Sequence, residues 1–125
     1  MANMGAQSTD LSVEERVRRG VAFKIEGQYD EAKRELLAAL EMDPNHARAH
    51  QELGLVYGFT GQFDESLDEL RKAVELDSTC VESRNHLALT YSMLGMYEEA
   101  RAEFLEVLKL DPDNEVAKRN LVYFQ

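Results

Sequence analysis

A 34-residue period constrains this chain more than any other feature. Gly27, Gly61 and Gly95 stand 34 residues apart, and the same step links Tyr29, Phe63 and Tyr97. It also links Phe23, Tyr57 and Tyr91, and Leu36, Leu70 and Phe104. The small residues keep the step as well: Gly20, Gly54 and Ala88; Ala32, Ser66 and Ala100; Ala39, Ala73 and Val107. Asp43, Asp77 and Asp111 close each unit. So many columns at one spacing predict a repeat architecture, in which each unit buries its apolar face only against its neighbours. The units run over 13–46, 47–80 and 81–114. Residues 115–125 begin a fourth, with Leu121 in the place of Leu53 and Leu87, and residues 1–12 are small, polar and without pattern, as in a flexible N-terminal segment.

Each unit reads as two helices. In the second, Leu53, Val56 and Tyr57 recur at helical spacing, as do Leu67, Leu70 and Val74. Between them lies Thr60-Gly61-Gln62-Phe63, with a glycine free to take positive φ. Asp30 and Asp64 are placed to cap the second helices, with Glu98 a weaker cap in the third unit. Asp43-Pro44 and Asp111-Pro112 read as a capping Asp followed by Pro at the first helical position, while Asp77-Ser78 keeps only the Asp. Ser12 with Glu15 predicts a capping box at the first helix. The small columns predict close helix crossings, with Gly20, Gly54 and Ala88 on one side and Ala32, Ser66 and Ala100 on the other. Period-two alternation is absent, so no strand is expected.

At this point the residues themselves resemble a known family. Leu53-Gly54, Tyr57, Gly61, Phe63, Leu70 and Ala73 are similar to a tetratricopeptide repeat (TPR), as are Leu87-Ala88, Tyr91, Gly95, Tyr97, Ala100, Phe104 and Pro112. The first unit matches in its second half, through Gly27, Tyr29, Ala32, Leu36, Ala39 and Pro44, and departs where Arg19 replaces the expected Leu. The resemblance covers about 102 of the 125 residues. It implies an all-α, right-handed superhelical array of antiparallel helix pairs, with the first helix of each pair lining a concave groove. It also implies a non-enzymatic adaptor that binds a protein or peptide partner.

On that geometry the partner-binding groove is expected at Val17, Val21 and Ile25; Arg48, Gln51, Leu55 and Phe59; Asn85, Leu89 and Met93; and Arg119 with Tyr123 from the terminal helix. Its apolar members form rows, Val21, Leu55, Leu89 and Tyr123 in one and Ile25, Phe59 and Met93 in another. Exposed apolar rows on a polar protein mark binding surfaces, here for an apolar or amphipathic segment. One TPR subfamily holds the C-terminal carboxylate of chaperones through Lys, Asn and Arg in the groove. The matching positions here are Val17, Val21, Glu52, Glu82 and His86, so a carboxylate would meet repulsion and no clamp is expected.

Charge and composition exclude other classes. Asp+Glu number 24 against Lys+Arg 14, a net charge of −10, which opposes binding to nucleic acid phosphates. Acid crowds the second helices, as in Asp64, Glu65, Asp68, Glu69 and Glu75, and reads as a solvated convex face. No apolar run suffices for a membrane span, no secretory signal is visible, and the single Cys80 leans towards a reducing compartment, so a cytoplasmic protein without membrane insertion is expected. His46 and His50 share a helix turn and Cys80 or His86 would have to supply a third ligand, but His46 and Cys80 hold the same place in successive units and stacking separates them, which argues against a metal site. Ser66, Ser83 and Ser92 lack a base and orienting partner, and no cofactor or enzyme activity is expected. The apolar ending Val122-Tyr123-Phe124 raises a second possibility, self-association into a homo-oligomer or scaffold through residues 115–125.

Overall fold

The computed structural model describes residues 11–124; residues 1–10, which hold most of the expected flexible segment, lie outside it. The described chain forms seven α-helices: α1 Val13–Ile25, α2 Tyr29–Met42, α3 Ala47–Phe59, α4 Phe63–Leu76, α5 Val81–Met93, α6 Tyr97–Leu110 and α7 Glu115–Leu121. A short 3₁₀ turn, Val122–Phe124, follows α7. The helices pack as hairpins α1/α2, α3/α4 and α5/α6. Each second helix also packs on the next first helix, and α7 closes the series against α6.

The hairpin turns depend on the glycine column. Gly27, Gly61 and Gly95 each have φ +77°, in the left-handed region. Around each, two backbone bonds close the preceding helix: Gln28 N donates to Phe23 O at 2.9 Å and Gly27 N to Lys24 O at 3.0 Å, and the same pair recurs at the other two turns. This is the Schellman arrangement, which satisfies carbonyls that the helix end would otherwise leave unpaired. It also corrects an expectation. The turn runs so directly into the next helix that α2 starts at Tyr29, with Gln28 at the cap position and no side-chain cap. Asp30 and Asp64 therefore sit inside the first turn rather than capping it. There their carboxylates still meet the positive end of the helix dipole. Glu98 has the same place in α6.

The inter-repeat turns hold a second correction. Asp43 ends α2 in extended backbone, and Pro44 lies in the turn instead of at the first helical position. The caps come three residues later. His46 Nδ1 accepts from Ala49 N at 3.0 Å, and Asn114 Oδ1 accepts from Ala117 N at 3.0 Å. Cys80 takes the corresponding place before α5 and makes no cap bond. At the start of α1 the expected capping box is present. Ser12 Oγ accepts from Glu15 N, and Glu15 Oε1 accepts from Ser12 N, which holds the Glu15 carboxyl below its usual range.

The small columns mark close crossings, as expected. A Cβ at Gly20 would lie 2.6 Å from Leu36 Cγ, and one at Gly54 would lie 2.8 Å from Leu70 Cγ. Ala32, Ser66 and Ala100 are buried opposite, and Ser66 Oγ donates to Gly54 O at 2.7 Å. Leu36, Leu53, Leu70 and Phe104 fill the volume between them. A column of hydrogen-bonded polar pairs also repeats across each hairpin: Arg16–Glu35 at 3.1 Å, His50–Glu69 at 2.6 Å and Arg84–Glu103 at 2.8 Å. Sequence reading missed it, although both sides keep the 34-residue step.

Candidate binding groove

The first helices α1, α3 and α5 lie side by side, and α1 touches α3 as α3 touches α5. Their shared face forms the concave side of the array. Its apolar rows follow the repeat. Val21 and Leu55 are half-buried and Leu89 is exposed. Ile25, Phe59 and Met93 form an outer row exposed by 76%, 59% and 64%. Phe59 stacks on Tyr29 with ring centroids 5.7 Å apart. Between α3 and α5 the face sinks into a recess of about 470 Å³ whose walls include Leu55, Phe59, His86, Leu89 and Met93. A second recess, of about 440 Å³, lies by the terminal helix between Ser92, Tyr97, Asn120, Tyr123 and Phe124.

Three of the expected groove residues are not on this surface. Val17, Gln51 and Asn85 are buried. They share the fifth position of each first helix, which lies under the start of the following repeat. Val17 joins the core with Ala49. Gln51 is tied to α5: its Nε2 donates to Glu82 Oε1 at 2.8 Å, and its Oε1 accepts from the Ser83 hydroxyl and the Cys80 thiol. Asn85 Nδ2 donates to Asn114 Oδ1 at 3.1 Å. These side chains join repeats. Arg48, Arg119 and Tyr123 are exposed, and Phe124 folds back, half-buried, against Tyr97 and Phe104.

The groove floor also holds a charged group that the sequence reading used only to argue against a clamp. Glu52 is 2% exposed. Lys24 Nζ reaches its Oε1 at 2.5 Å from α1, and Arg48 Nε reaches its Oε2 at 3.1 Å from one turn earlier on α3. A carboxylate removed from water in this way requires such partners. The Arg48–Glu52 spacing of four residues was a usable signal; the Lys24–Glu52 contact crosses repeats and has none. His86 follows on α5, with Nε2 4.0 Å from Glu82 Oε1. Burial holds its pKa below the usual imidazole value, against the pull of the Glu82 and Glu52 carboxylates, and Lys24 acts in the same direction as burial.

The other histidines have structural partners. His46 Nε2 lies 2.8 Å from Glu14 Oε1 while its Nδ1 caps α3. His50 lies between Glu69 and the Pro44 carbonyl. Among the described residues, no three His, Cys, Asp or Glu side chains converge as a metal site would need, and no helix is long and apolar enough to cross a membrane. Charge is divided between the two layers. Helices α2, α4 and α6 carry 13 Asp/Glu against 6 Lys/Arg, whereas α1, α3, α5 and α7 carry 5 against 8.

Comparison with known proteins agrees with this geometry. Family models described as TPR repeat or tetratricopeptide repeat match residues 20–58, 47–80 and 81–114. No curated protein matches the chain by sequence. Among solved structures, the first TPR of Spaghetti (RPAP3), bound to an HSP90 peptide, is 21% identical with a TM-score of 0.86, over 90% of this chain and 89% of that one. The second TPR domain of human RPAP3, in complex with an HSP70 peptide, is 24% identical with a TM-score of 0.81, over 86% and 90%. The Sgt2 TPR domain from Aspergillus fumigatus is 17% identical with a TM-score of 0.82, over 89% and 75%. At these identities the likeness to solved structures concerns the fold. The three family models, together with the helix pairs and their glycine turns, establish that this chain belongs to the tetratricopeptide repeat family.

Proposed function

We propose that this protein is a non-enzymatic adaptor that binds an apolar or amphipathic segment of a partner protein in its concave groove. The observation that carries this reading is the outer row Ile25, Phe59 and Met93, each more than half exposed, of which Phe59 and Met93 line a recess of about 470 Å³. A repeating apolar row left open to water is a surface for a partner. Two structural neighbours hold chaperone peptides, which supports peptide binding by this architecture. The chemistry of this groove favours a different peptide. At the five clamp positions Val17 is buried, Val21 is apolar, Glu52 is already paired, Glu82 is anionic and His86 has a depressed pKa. None offers a charge-assisted bond to a terminal carboxylate at neutral pH.

The test is selection from a random peptide library, run beside the Leu55→Asp/Leu89→Asp variant. Peptides rich in apolar residues should be retained by the parent and lost by the variant, with helicity unchanged by circular dichroism. Retention by both proteins would remove the groove from the reading. Tight binding of a synthetic chaperone tail would overturn the argument against a clamp.

A second reading rests on the terminal helix. Val122 and Tyr123 are 63% and 80% exposed, which fits self-association through residues 115–125. Sedimentation would show a dimer or larger species, reduced to monomer by Val122→Asp/Tyr123→Asp. A monomeric parent would end this reading.

A further inference from the structure

The hairpin turns at Gly27, Gly61 and Gly95 lie along one edge of the array, where each first helix ends and each second helix begins. The first helices bring Ile25, Phe59 and Met93 to this edge, and the second helices start there with Tyr29, Phe63 and Tyr97. The two rows interleave, because Phe59 stacks on Tyr29 of the repeat before it. Phe59, Met93 and Tyr97 are exposed by 59%, 64% and 59%. An apolar band therefore continues from the groove over the turns.

Carboxylates border this band, and they are unevenly compensated. In the first repeat Asp30 and Glu31 are followed within a turn by Lys33 and Arg34. In the second, Asp64, Glu65 and Asp68 have no cation before Arg71, and in the third Glu98 and Glu99 have only Arg101. All five of these acids are exposed, and among the described residues none is in an ion pair. Two cations of the first repeat are committed elsewhere: Lys24 holds Glu52, and Lys33 donates to Gln62 Oε1 and lies over the Tyr57 ring. The helix dipole favours acid at these places, but a helix N-terminus carries the equivalent of only about half a positive charge. The edge of the second and third repeats is thus apolar and net negative.

Such an edge repels the phosphates of nucleic acid and of anionic lipid. A cationic protein segment suits it on two counts. Arg or Lys can reach the carboxylates, and the open rings of Phe59 and Tyr97 accept cations over their faces. Charge of this kind selects the partner more than it adds affinity, so the apolar contacts remain necessary.

We propose that the edge of the second and third repeats docks a segment of a partner protein in which Arg or Lys is interspersed with apolar residues, the apolar side chains against Phe59, Met93 and Tyr97 and the cations on Asp64, Glu65, Asp68, Glu98 and Glu99. The proposal rests on the reading of the outer apolar row as a docking surface and adds the partner's charge. In a polyproline II segment every third side chain faces the same way, about 9.3 Å apart, close to the roughly 8–10 Å between packed helices. The probe is therefore Leu-Arg-Ser repeated four times, with blocked ends, followed by fluorescence anisotropy. Two further peptides carry Glu for Arg, or Ser for Leu. Exposed ion pairs are individually weak, so several together should give the Leu-Arg peptide about a tenfold advantage over either. Asp64→Asn/Glu65→Gln/Glu98→Gln/Glu99→Gln should remove the advantage over the Glu peptide. Glu41→Gln/Glu75→Gln/Asp113→Asn/Glu115→Gln, which removes four exposed charges at the opposite ends of the second helices and beyond, should keep it. Met93→Ser/Tyr97→Ser should remove the advantage over the Ser peptide, with circular dichroism unchanged in all three variants. If the two charge variants weaken binding equally, attraction to the overall charge explains it and the proposal falls. If the Glu peptide binds as well as the Arg peptide, or if Leu55→Ser/Leu89→Ser abolishes binding that the edge variants leave intact, the groove reading stands and this proposal falls. If no peptide binds, this proposal also falls, and the peptide-library selection decides the groove reading separately.

Discussion

Gln51 and Asn85 hold the same place in successive repeats, yet only Gln51 has a donor for its side-chain oxygen. Ser83 Oγ donates to Gln51 Oε1. One repeat later Ala117 stands where Ser83 does, and the buried Asn85 Oδ1 has no hydrogen-bond partner. A buried acceptor without a donor costs about 1–3 kcal/mol. Ala117→Ser should place a hydroxyl near that oxygen and raise stability by about 0.5–1.5 kcal/mol, while Ser83→Ala should lower it by about 1 kcal/mol. Urea denaturation measures both. A loss of stability in Ala117→Ser would show that Asn85, one methylene shorter than Gln51, does not reach the new donor.

Two glycines of α3 should respond in opposite ways to the same change. Gly54→Ala drives a Cβ to 2.8 Å from Leu70 Cγ and 3.3 Å from the Ser66 carbonyl oxygen. Separating α3 from α4 there should cost about 1–3 kcal/mol. Gly58→Ala meets only Ser66 Oγ, at 3.6 Å, an ordinary contact. It should be neutral or stabilise by up to about 1 kcal/mol, because Ala has less backbone freedom to lose on folding. Thermal melts that place the two variants in the reverse order would refute the close crossing at Gly54.

The fold was legible because a repeat protein writes each contact several times. The glycine turns and the Gly20 and Gly54 crossings could be read as columns, since the same residue meets the same neighbour in each unit. The caps were misplaced because an Asp near a helix start is equally stable one or two positions inside it, and only the Schellman turn fixes where α2 begins. The site was less legible. Val17, Gln51 and Asn85 lie one helical turn from Val21, Leu55 and Leu89 on the same stripe, and only the following first helix, whose distance no local pattern records, covers them. The Arg16–Glu35 column was missed for a related reason. Its two sides are 19 residues apart on different helices, outside any i,i+4 pairing.

Acid should weaken this protein through His86. Burial holds its folded pKa below the unfolded value of 6.5, so the folded state binds that proton less readily than the unfolded chain. Stability is then level above pH 6.5, declines as pH falls below it, and levels again below the folded pKa. Glu82 and Glu52 oppose the effect and Lys24 adds to it. The urea midpoint should fall between pH 7.5 and 5.5, and His86→Gln should show a shallower fall over the same range. Parallel curves for the two proteins would exclude His86 as the cause.

The Glu52 pairing makes a prediction about the groove floor. Its carboxylate is almost wholly buried and depends on Lys24 and Arg48. Lys24→Met removes the shorter contact and leaves Arg48, itself largely in solvent, as the remaining partner. Because an under-compensated buried charge is the costly state, the single change should lower stability by about 2–4 kcal/mol. Lys24→Met/Glu52→Leu removes the charge as well, and apolar replacements of buried pairs are commonly neutral or better. The double variant should therefore recover most of the loss, even though it has one more substitution. Urea denaturation of the parent, the single and the double variant tests this order. If the double variant is less stable than the single, the carboxylate contributes through packing and hydrogen bonding that Leu does not replace, and the ion pair is not what governs this part of the groove.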